Sequence, residues 1–240
     1  MMAFAAILTV GMVSCGKEDN SSGSNSGNGV NNGGGNTGGG SITTSEWVDL
    51  GLQSGLLWAS CNLGATKPEK YGNHYAWGET ITKEVYDWDT YAYGNAPIKL
   101  TKYCNNAEYG LNGFTDNLTT LQAMDDAATA ALGNGARTPT ADEWRELINA
   151  TTMEWTTLNG VNGLKLTSTA NGNALFLPAA GGYWVDELGG AGFHGYYWSS
   201  SLLASTPSYA WYFKLKSDGQ YMSNDGGRYI GFTVRAVRQK

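Results

Sequence analysis

Aromatic and short polar side chains are concentrated in the last third of the chain. Flat aromatic rings stack on sugar faces or on protein side chains, and Asn, Asp and Arg supply hydrogen bonds that orient a ligand. We therefore expect a ligand-binding surface formed by Tyr183, Trp184, Asp186, Glu187, His194, Tyr196, Tyr197, Tyr212, Tyr221, Asn224, Asp225 and Arg228. The alternative is that many of these rings belong to the core. We expect a core position for Trp211, which lies on the inward phase of an alternating strand.

Residue patterns typical of catalysis are missing from the sequence. Its two histidines, His74 and His194, are better explained as ordinary loop or packing residues. No Gly-x-Ser-x-Gly motif, metal-spaced His/Cys cluster or phosphate-binding glycine loop occurs. Residues 223–227 could ligate calcium, but a turn explains them equally well. We expect no enzymatic activity, no catalytic residue, no cofactor and no metal site.

The charge balance bears on possible partners. The net charge is -6, with 15 basic and 21 acidic residues, and the basic residues form no stripe along the chain. Nucleic acid is therefore not an expected partner, since binding it requires a cluster of cations. The acidic pairs Asp125-Asp126 and Asp142-Glu143 fall on predicted helices, where we expect them to be solvated or to cap a helix.

The N-terminal residues are typical of an export signal. Residues 1–14 are almost wholly apolar and too few to span a bilayer as a helix, which takes roughly 20 residues. The segment Met12-Val13-Ser14-Cys15 resembles the lipobox of bacterial lipoproteins. That resemblance implies a signal peptide over residues 1–15 and lipid modification at Cys15, so that the membrane becomes a partner through the lipid anchor.

The next residues bear on where the anchored protein faces. Gly16-Lys17-Glu18-Asp19 resembles the surface-export signal of lipoproteins in the Bacteroides group, and the start of a solvated linker is the alternative. Residues 16–45 are dominated by Gly, Asn and Ser, a composition typical of a flexible linker. We expect a protein held in the outer membrane by its lipid and facing the cell exterior.

Two cysteines remain in the domain predicted over residues 46–240. Cys61 and Cys104 form an even pair, and disulfides persist in exported proteins. We expect a bridge between them, closing a loop of about 43 residues. Two buried free thiols are the structural alternative.

Two helices are predicted near the middle of the domain. The first is indicated by helical spacing of Leu118, Leu121, Met124, Ala128 and Leu132, and should end at Gly133-Asn134-Gly135. The second follows Pro139, with Thr140 and Glu143 as a capping box and Trp144, Leu147 and Ile148 on its buried face.

Short strands are predicted on both sides of the helices. Those before the helices cover residues 47–50, 56–59 and part of 74–77. Those after them cover 155–167, 174–177, 211–215 and 232–237, with turns expected at Asn159-Gly160, Asn162-Gly163 and Asp218-Gly219. Strands, then two helices, then an antiparallel meander predict an α+β fold.

An ordered series of segments resembles the Fibrobacter succinogenes major-paralogous-domain family of bacterial surface lipoproteins. The segments are Val48-Asp49-Leu50-Gly51-Leu52, Gly55-Leu56-Leu57-Trp58-Ala59, Tyr75-Ala76-Trp77-Gly78-Glu79, Arg137-Thr138-Pro139-Thr140, Phe176-Leu177-Pro178-Ala179-Ala180-Gly181, Tyr197-Trp198-Ser199-Ser200 and Gly231-Phe232-Thr233-Val234-Arg235. The resemblance covers essentially all of residues 46–240. It implies a C-type-lectin-like fold, with two helices, a small twisted antiparallel sheet and long loops on one side, and it places Trp198 in the core.

The expected function is that of a surface-exposed, lipid-anchored binding module or adhesin that recognises a glycan or a host or bacterial protein. A fold alone does not determine function, and the wider group that shares this fold suggests an oxidase of the formylglycine-generating type as an alternative. In those relatives the reactive cysteine pair lies late in the domain, whereas Cys61 and Cys104 precede the first predicted helix. A structural tip subunit of a surface filament is a further alternative.

Overall fold

Short strands from the two ends of the domain form one sheet. The structure is a computed structural model and describes residues 47–240, so the predicted signal peptide, Cys15 and the predicted linker lie outside the described residues. Strand β1 (Trp47–Asp49) pairs antiparallel with β2 (Leu57–Ala59), and β13 (Val237–Arg238) pairs with the other edge of β2. The first two predicted strands are therefore confirmed.

The remaining strands form three further sheets. The five-stranded main sheet has the order β11 (Gly219–Gly227), β10 (Tyr209–Lys216), β9 (His194–Leu202), β12 (Phe232–Thr233) and β3 (His74–Tyr75). A three-stranded sheet contains β4 (Thr151–Leu158), β5 (Val161–Ser168) and β6 (Ala174–Pro178). A hairpin of β7 (Gly182–Trp184) and β8 (Glu187–Gly189) completes the set. All pairings are antiparallel except that of β12 with β9.

The predicted turns are only partly confirmed. Asn159 and Gly160 connect β4 to β5 with φ of 49° and 81°, as a tight hairpin turn requires. Asn162-Gly163 instead lies inside β5, where pairing with β4 and β6 holds it extended. The β10–β11 turn is formed by residues 217 and 218, because Gly219 already pairs with Lys216.

The two helices differ in how well they match the prediction. Helix α2 (Ala141–Asn149) has the predicted capping box between Thr140 and Glu143, and Trp144 and Leu147 are buried. Helix α1 covers only Ala127–Leu132, after a 3-10 turn at Ala123–Asp125, and ends as predicted at Gly133.

The missing first half of α1 has a tertiary cause. The Leu121 amide donates to the Ser200 carbonyl at 2.9 Å, and the Leu202 amide donates to the Thr119 carbonyl at 2.9 Å. These bonds hold residues 119–121 beside β9 and engage the Leu121 amide and the Thr119 carbonyl, which a helix would bond within its own segment. The expectation that Asp125 is solvated is also wrong, because its carboxylate is buried against Lys102 and Tyr93.

The two faces of the main sheet support separate cores. Because strand side chains alternate between faces, Tyr197 and Phe213 pack with Trp144 of α2 on one side. Trp198 and Tyr212 face the other side, with Phe232. The core position of Trp198 is confirmed.

Trp211 is not a core residue. The register of β10 shifts between Ala210 and Tyr212, and this bulge leaves Trp211 half-buried. The Arg145 guanidinium carbon lies 4.7 Å from the centroid of its ring. The prediction of a core position is therefore wrong, because strand alternation was extended through a bulge.

The bridge predicted between Cys61 and Cys104 is not formed, because Cys104 is a free buried thiol. Its Sγ donates to the Asn106 carbonyl at 3.1 Å, and its amide donates to Asp116 Oδ1 at 3.0 Å. Burial raises the pKa of the Cys104 thiol, so the nucleophilic thiolate is disfavoured.

Several small antiparallel sheets and two helices make this an α+β fold. Within residues 47–240, no helix combines the length and the apolar character that crossing a membrane requires.

Candidate ligand-binding face

One face of the main sheet carries a patterned row of aromatic and polar side chains. In β10, Lys214 lies opposite Tyr196 of β9 and opposite Tyr221 of β11. Tyr212 is two residues away on the same strand and faces the same way. We call the surface formed by Trp184, Tyr196, Tyr212, Lys214, Tyr221 and Asp225 the aromatic platform.

The rings of the aromatic platform divide into a floor and two exposed edges. Tyr196 forms the floor: it is 8% exposed and stacks on Phe232 with ring centroids 4.9 Å apart and planes 13° apart. Trp184 meets Tyr196 edge-on at 5.3 Å and is 36% exposed, and Tyr221 is 44% exposed. Both outer rings therefore present apolar surface to a ligand while being held on the sheet or on its neighbouring hairpin.

Lys214 places a positive charge over the rings of Tyr196 and Tyr221. Its Nζ lies 5.5 Å from the ring centroid of Tyr196 and 6.0 Å from that of Tyr221. Within the described chain, Lys214 takes part in none of the ion pairs. Its ammonium donors are thus available to an acceptor above the platform.

Asp225 supplies the acceptor of the aromatic platform. Its Oδ1 accepts hydrogen bonds from Ser223 Oγ and Tyr212 Oη, each at 2.7 Å. The Ser223 bond, together with the Tyr212 bond and the charge of Lys214, holds the pKa of Asp225 below its ordinary value. Burial, and then the neighbouring Asp225 carboxylate, raise the pKa of Tyr212. Asp225 is therefore an ionised, oriented acceptor, and Tyr212 is its neutral donor.

The β7–β8 hairpin holds Trp184 in place. Its turn contains Val185 with φ of 59°, a conformation that is costly for a β-branched residue. Two backbone bonds with Tyr86 maintain it, from the Tyr86 amide to the Val185 carbonyl at 2.7 Å and from the Val185 amide to the Tyr86 carbonyl at 3.1 Å. Tyr183 stacks on Tyr86 on the inner side, with ring centroids 5.5 Å apart. Trp184 therefore projects from a rigid hairpin.

His74 lies behind this hairpin, in contact with Tyr183. It is buried, its ring meets Tyr183 edge-on at 5.1 Å, and its Nε2 is 3.2 Å from the Ala180 carbonyl oxygen. Burial lowers the pKa of His74 below its ordinary value. The folded state therefore favours the neutral imidazole.

This arrangement predicts a pH-dependent stability. As the pH falls, His74 is protonated in the unfolded chain, near pH 6.5, before it is protonated in the folded protein. Neutral His74 therefore contributes its full share to the free energy of unfolding above about pH 6.5, and this share is lost as the pH falls below that value. We expect the free energy of unfolding, measured with urea, to decrease from pH 7.5 to pH 5. The His74→Gln variant should lose most of this slope. An unchanged slope in that variant would contradict the assignment, since the carboxylates with lowered pKa, such as Asp225, respond only at more acidic pH.

The structure brings together only some of the predicted ligand-binding residues. Trp184, Tyr196, Tyr212, Tyr221 and Asp225 meet in the aromatic platform, and the ring of His194 lies 6.0 Å from that of Tyr196. Asp186 and Glu187 are exposed at the hairpin, and Asn224 is exposed on β11. Tyr183 is turned away from the platform, toward Tyr86 and His74.

Two predicted binding residues are inaccessible. Tyr197 is 0% exposed on the opposite face of the sheet and donates to the Pro178 carbonyl at 2.7 Å. Arg228 is also 0% exposed, and its guanidinium donates to Tyr91 Oη and to the carbonyls of Tyr103 and Pro207. Both predictions are wrong, because Tyr197 lies within the central strand β9 with its ring on the opposite face, and Arg228, directly after β11, points into the domain.

Sequence reasoning missed Lys214 and Ser223 as members of this face. The signal for Lys214 was present, since it alternates in phase with Tyr212 on a predicted strand. Ser223 was assigned to a turn, whereas it lies within β11. Among residues 47–240, no group of three or more His, Cys, Asp or Glu side chains is placed to hold a metal ion.

No protein-family model, curated protein or solved structure matches this chain.

Proposed function

We propose that this protein is a non-enzymatic binding module that recognises a glycan through the aromatic platform. The observation that carries the proposal is Lys214, which forms no ion pair within residues 47–240 and lies over the rings of Tyr196 and Tyr221, while the partly exposed Trp184 meets Tyr196 edge-on. Apolar ring faces next to a few oriented polar groups match the alternating apolar and hydroxyl surfaces of a sugar.

The rigidity of the aromatic platform supports specific binding of a ligand rather than non-specific adhesion. Tyr and Trp lose little conformational entropy on binding, and Tyr196 and Tyr221 project from strands paired along their length. Lys214 supplies donors and Asp225 supplies an ionised acceptor, so a sugar hydroxyl finds both types of partner. A protein ligand is the second candidate, favoured by the exposed apolar Val185 and Leu188 at the adjacent hairpin.

We further propose that the domain has a C-type-lectin-like fold and belongs to a group of lipid-anchored bacterial surface proteins. Two helices, small antiparallel sheets and a long loop between β3 and α1 support the fold assignment. The proposed anchor at Cys15, outer-membrane location and exterior orientation are supported by the lipobox and export-signal resemblances of the sequence. Among the alternatives, an oxidase of the formylglycine-generating type is disfavoured by the buried Cys104 thiol with its raised pKa.

The test is binding of purified residues 16–240 to a glycan and mucin array, followed by titration of the best ligand. We expect Tyr221→Ala and Trp184→Ala each to weaken binding by about 10-fold or more, because each removes a ring that the ligand covers. Tyr209→Ala is the matched control: this tyrosine is 38% exposed on the same sheet but outside the aromatic platform. Its affinity should match the parent within about twofold.

Either of two results would contradict the proposal. Equal losses in Tyr209→Ala and Tyr221→Ala would show that the platform is not the site. A folded protein that binds no array glycan would exclude this function and favour a protein ligand or a role at a filament tip.

A further inference from the structure

A second concave surface lies at the end of strands β9 and β10. It is a groove of about 500 Å³, lined by Trp155, Asn162, Phe193, His194, Lys216 and Asp218 among others. We call it the end groove. Its volume lies within the usual range of small-ligand sites. Its lining shares no residue with the aromatic platform, and Trp155 and Asn162 come from the β4–β5 hairpin.

The end groove displays an apolar ring on a fixed turn. Phe193 is 73% exposed, and its amide donates to the Gly190 carbonyl at 3.0 Å. The same turn is tied to the domain by two bonds of Gly192: its amide donates to the Ala179 carbonyl at 2.7 Å, and its carbonyl accepts from Asn162 Nδ2 at 3.0 Å. The exposure of Phe193 is therefore built into the local hydrogen bonding.

The strand register joins the end groove to the aromatic platform. Lys216 lies opposite His194, one pair further along the same face than Lys214 opposite Tyr196. Two residues of strand separate these pairs by roughly 7 Å. His194 borders both surfaces, since it lines the groove and its ring lies 6.0 Å from that of Tyr196. His194 thus lies next to both the end groove and the floor of the aromatic platform.

Polar groups line the rim of the end groove. Lys216 Nζ and Asp218 Oδ1 form an ion pair at 3.0 Å, and their side chains are partly exposed. A pair of this kind contributes little to stability, but it offers donors and an acceptor beside the exposed ring of Phe193. The groove therefore repeats the composition of the aromatic platform, with a ring, a cation and a carboxylate.

We infer that the ligand of the aromatic platform is an oligosaccharide whose chain continues past His194 into the end groove, which acts as a second sugar subsite. This inference rests on the proposed function and adds the ligand class, a chain of several sugars rather than a single residue or a chain end. The end groove binds the part of the oligosaccharide that extends beyond the platform.

The test uses ladders of one to six sugars from the cello-, chito- and xylo-oligosaccharide series, titrated into residues 16–240 by calorimetry. For the series that binds, we expect affinity to increase with chain length. Phe193→Ala should weaken binding of the hexamer by about 10-fold and leave the shortest bound member within about twofold. Trp184→Ala should weaken binding of every member. The control is Ile81→Ala, an equally exposed apolar side chain (77%) outside both surfaces, which should change nothing.

The two proposals fail in different ways. If Trp184→Ala weakens binding but Phe193→Ala matches the parent at every chain length, the second subsite is excluded and the platform function stands. If affinity is already maximal for a single sugar, the second subsite is likewise excluded and the platform function stands. If no ladder binds to the folded parent protein, both proposals are overturned for these glycans.

Discussion

Arg228→Met is expected to lower the free energy of unfolding by about 3–5 kcal/mol, because it leaves several buried acceptors without a donor. The Arg228 side chain is 0% exposed and donates to the carbonyls of Lys102, Tyr103 and Pro207, at 3.0, 3.1 and 3.0 Å. Its guanidinium carbon also lies 5.0 Å from the ring centroid of Trp77. One side chain thus organises the long loop between β3 and α1.

The measurement is urea unfolding followed by tryptophan fluorescence at constant pH. Arg228→Lys should recover only part of the loss, because one ammonium cannot replace a planar fork of five donors. Arg145→Met is the matched control: this arginine is partly exposed, pairs with Asp142 and lies over the Trp211 ring, and its loss should cost about 1 kcal/mol. A loss at Arg228 no larger than that of the control would show that the loop is held by other contacts.

Asp126→Ala is expected to lower the free energy of unfolding by about 2–4 kcal/mol. Its Oδ1 accepts from the amides of Ala128 and Thr129, at 2.9 and 3.3 Å, and so caps α1. Its carboxylate also accepts from the hydroxyl and the amide of Thr138, both at 2.8 Å. Losing the cap therefore also releases the segment that leads into α2.

The same denaturation assay with Asp142→Ala separates a buried cap from an ordinary acidic residue. Asp142 lies in the first turn of α2, but its side chain is 92% exposed, so its removal should cost less than about 1 kcal/mol. Similar costs for the two variants would contradict the role assigned to Asp126. An Asp126→Asn variant should fall between them, since its amide retains one acceptor oxygen.

Local patterns predicted several elements because their causes are local. The capping box of α2 requires only Thr140 and Glu143 three residues apart, and both reciprocal bonds are present. The Asn159-Gly160 turn follows from the tolerance of these residues for positive φ. The end of α1 at Gly133 has the same origin.

Elements that depend on distant partners were predicted less well. Residues 118–125 have a helical pattern. However, the Leu121 amide donates to the Ser200 carbonyl and the Leu202 amide donates to the Thr119 carbonyl, and these bonds place the stretch beside β9. Cys104 could not be known to be free from its spacing to Cys61, since pairing depends on the relative positions of two loops. The bulge at Trp211 likewise follows from pairing with both neighbours of β10.

The candidate site shows the same division. Composition identified five members of the aromatic platform, because ring chemistry is a property of the residues themselves. Strand β9, which carries Tyr196, was not predicted. Only the tertiary structure decided that Tyr197 and Arg228 point into the domain, that Lys214 lies between two rings with no ion-pair partner in residues 47–240, and that His194 lines a second groove. Burial and ion pairing depend on what the other strands, the hairpin and the long loop place against each side chain, and that information is not contained in any one segment.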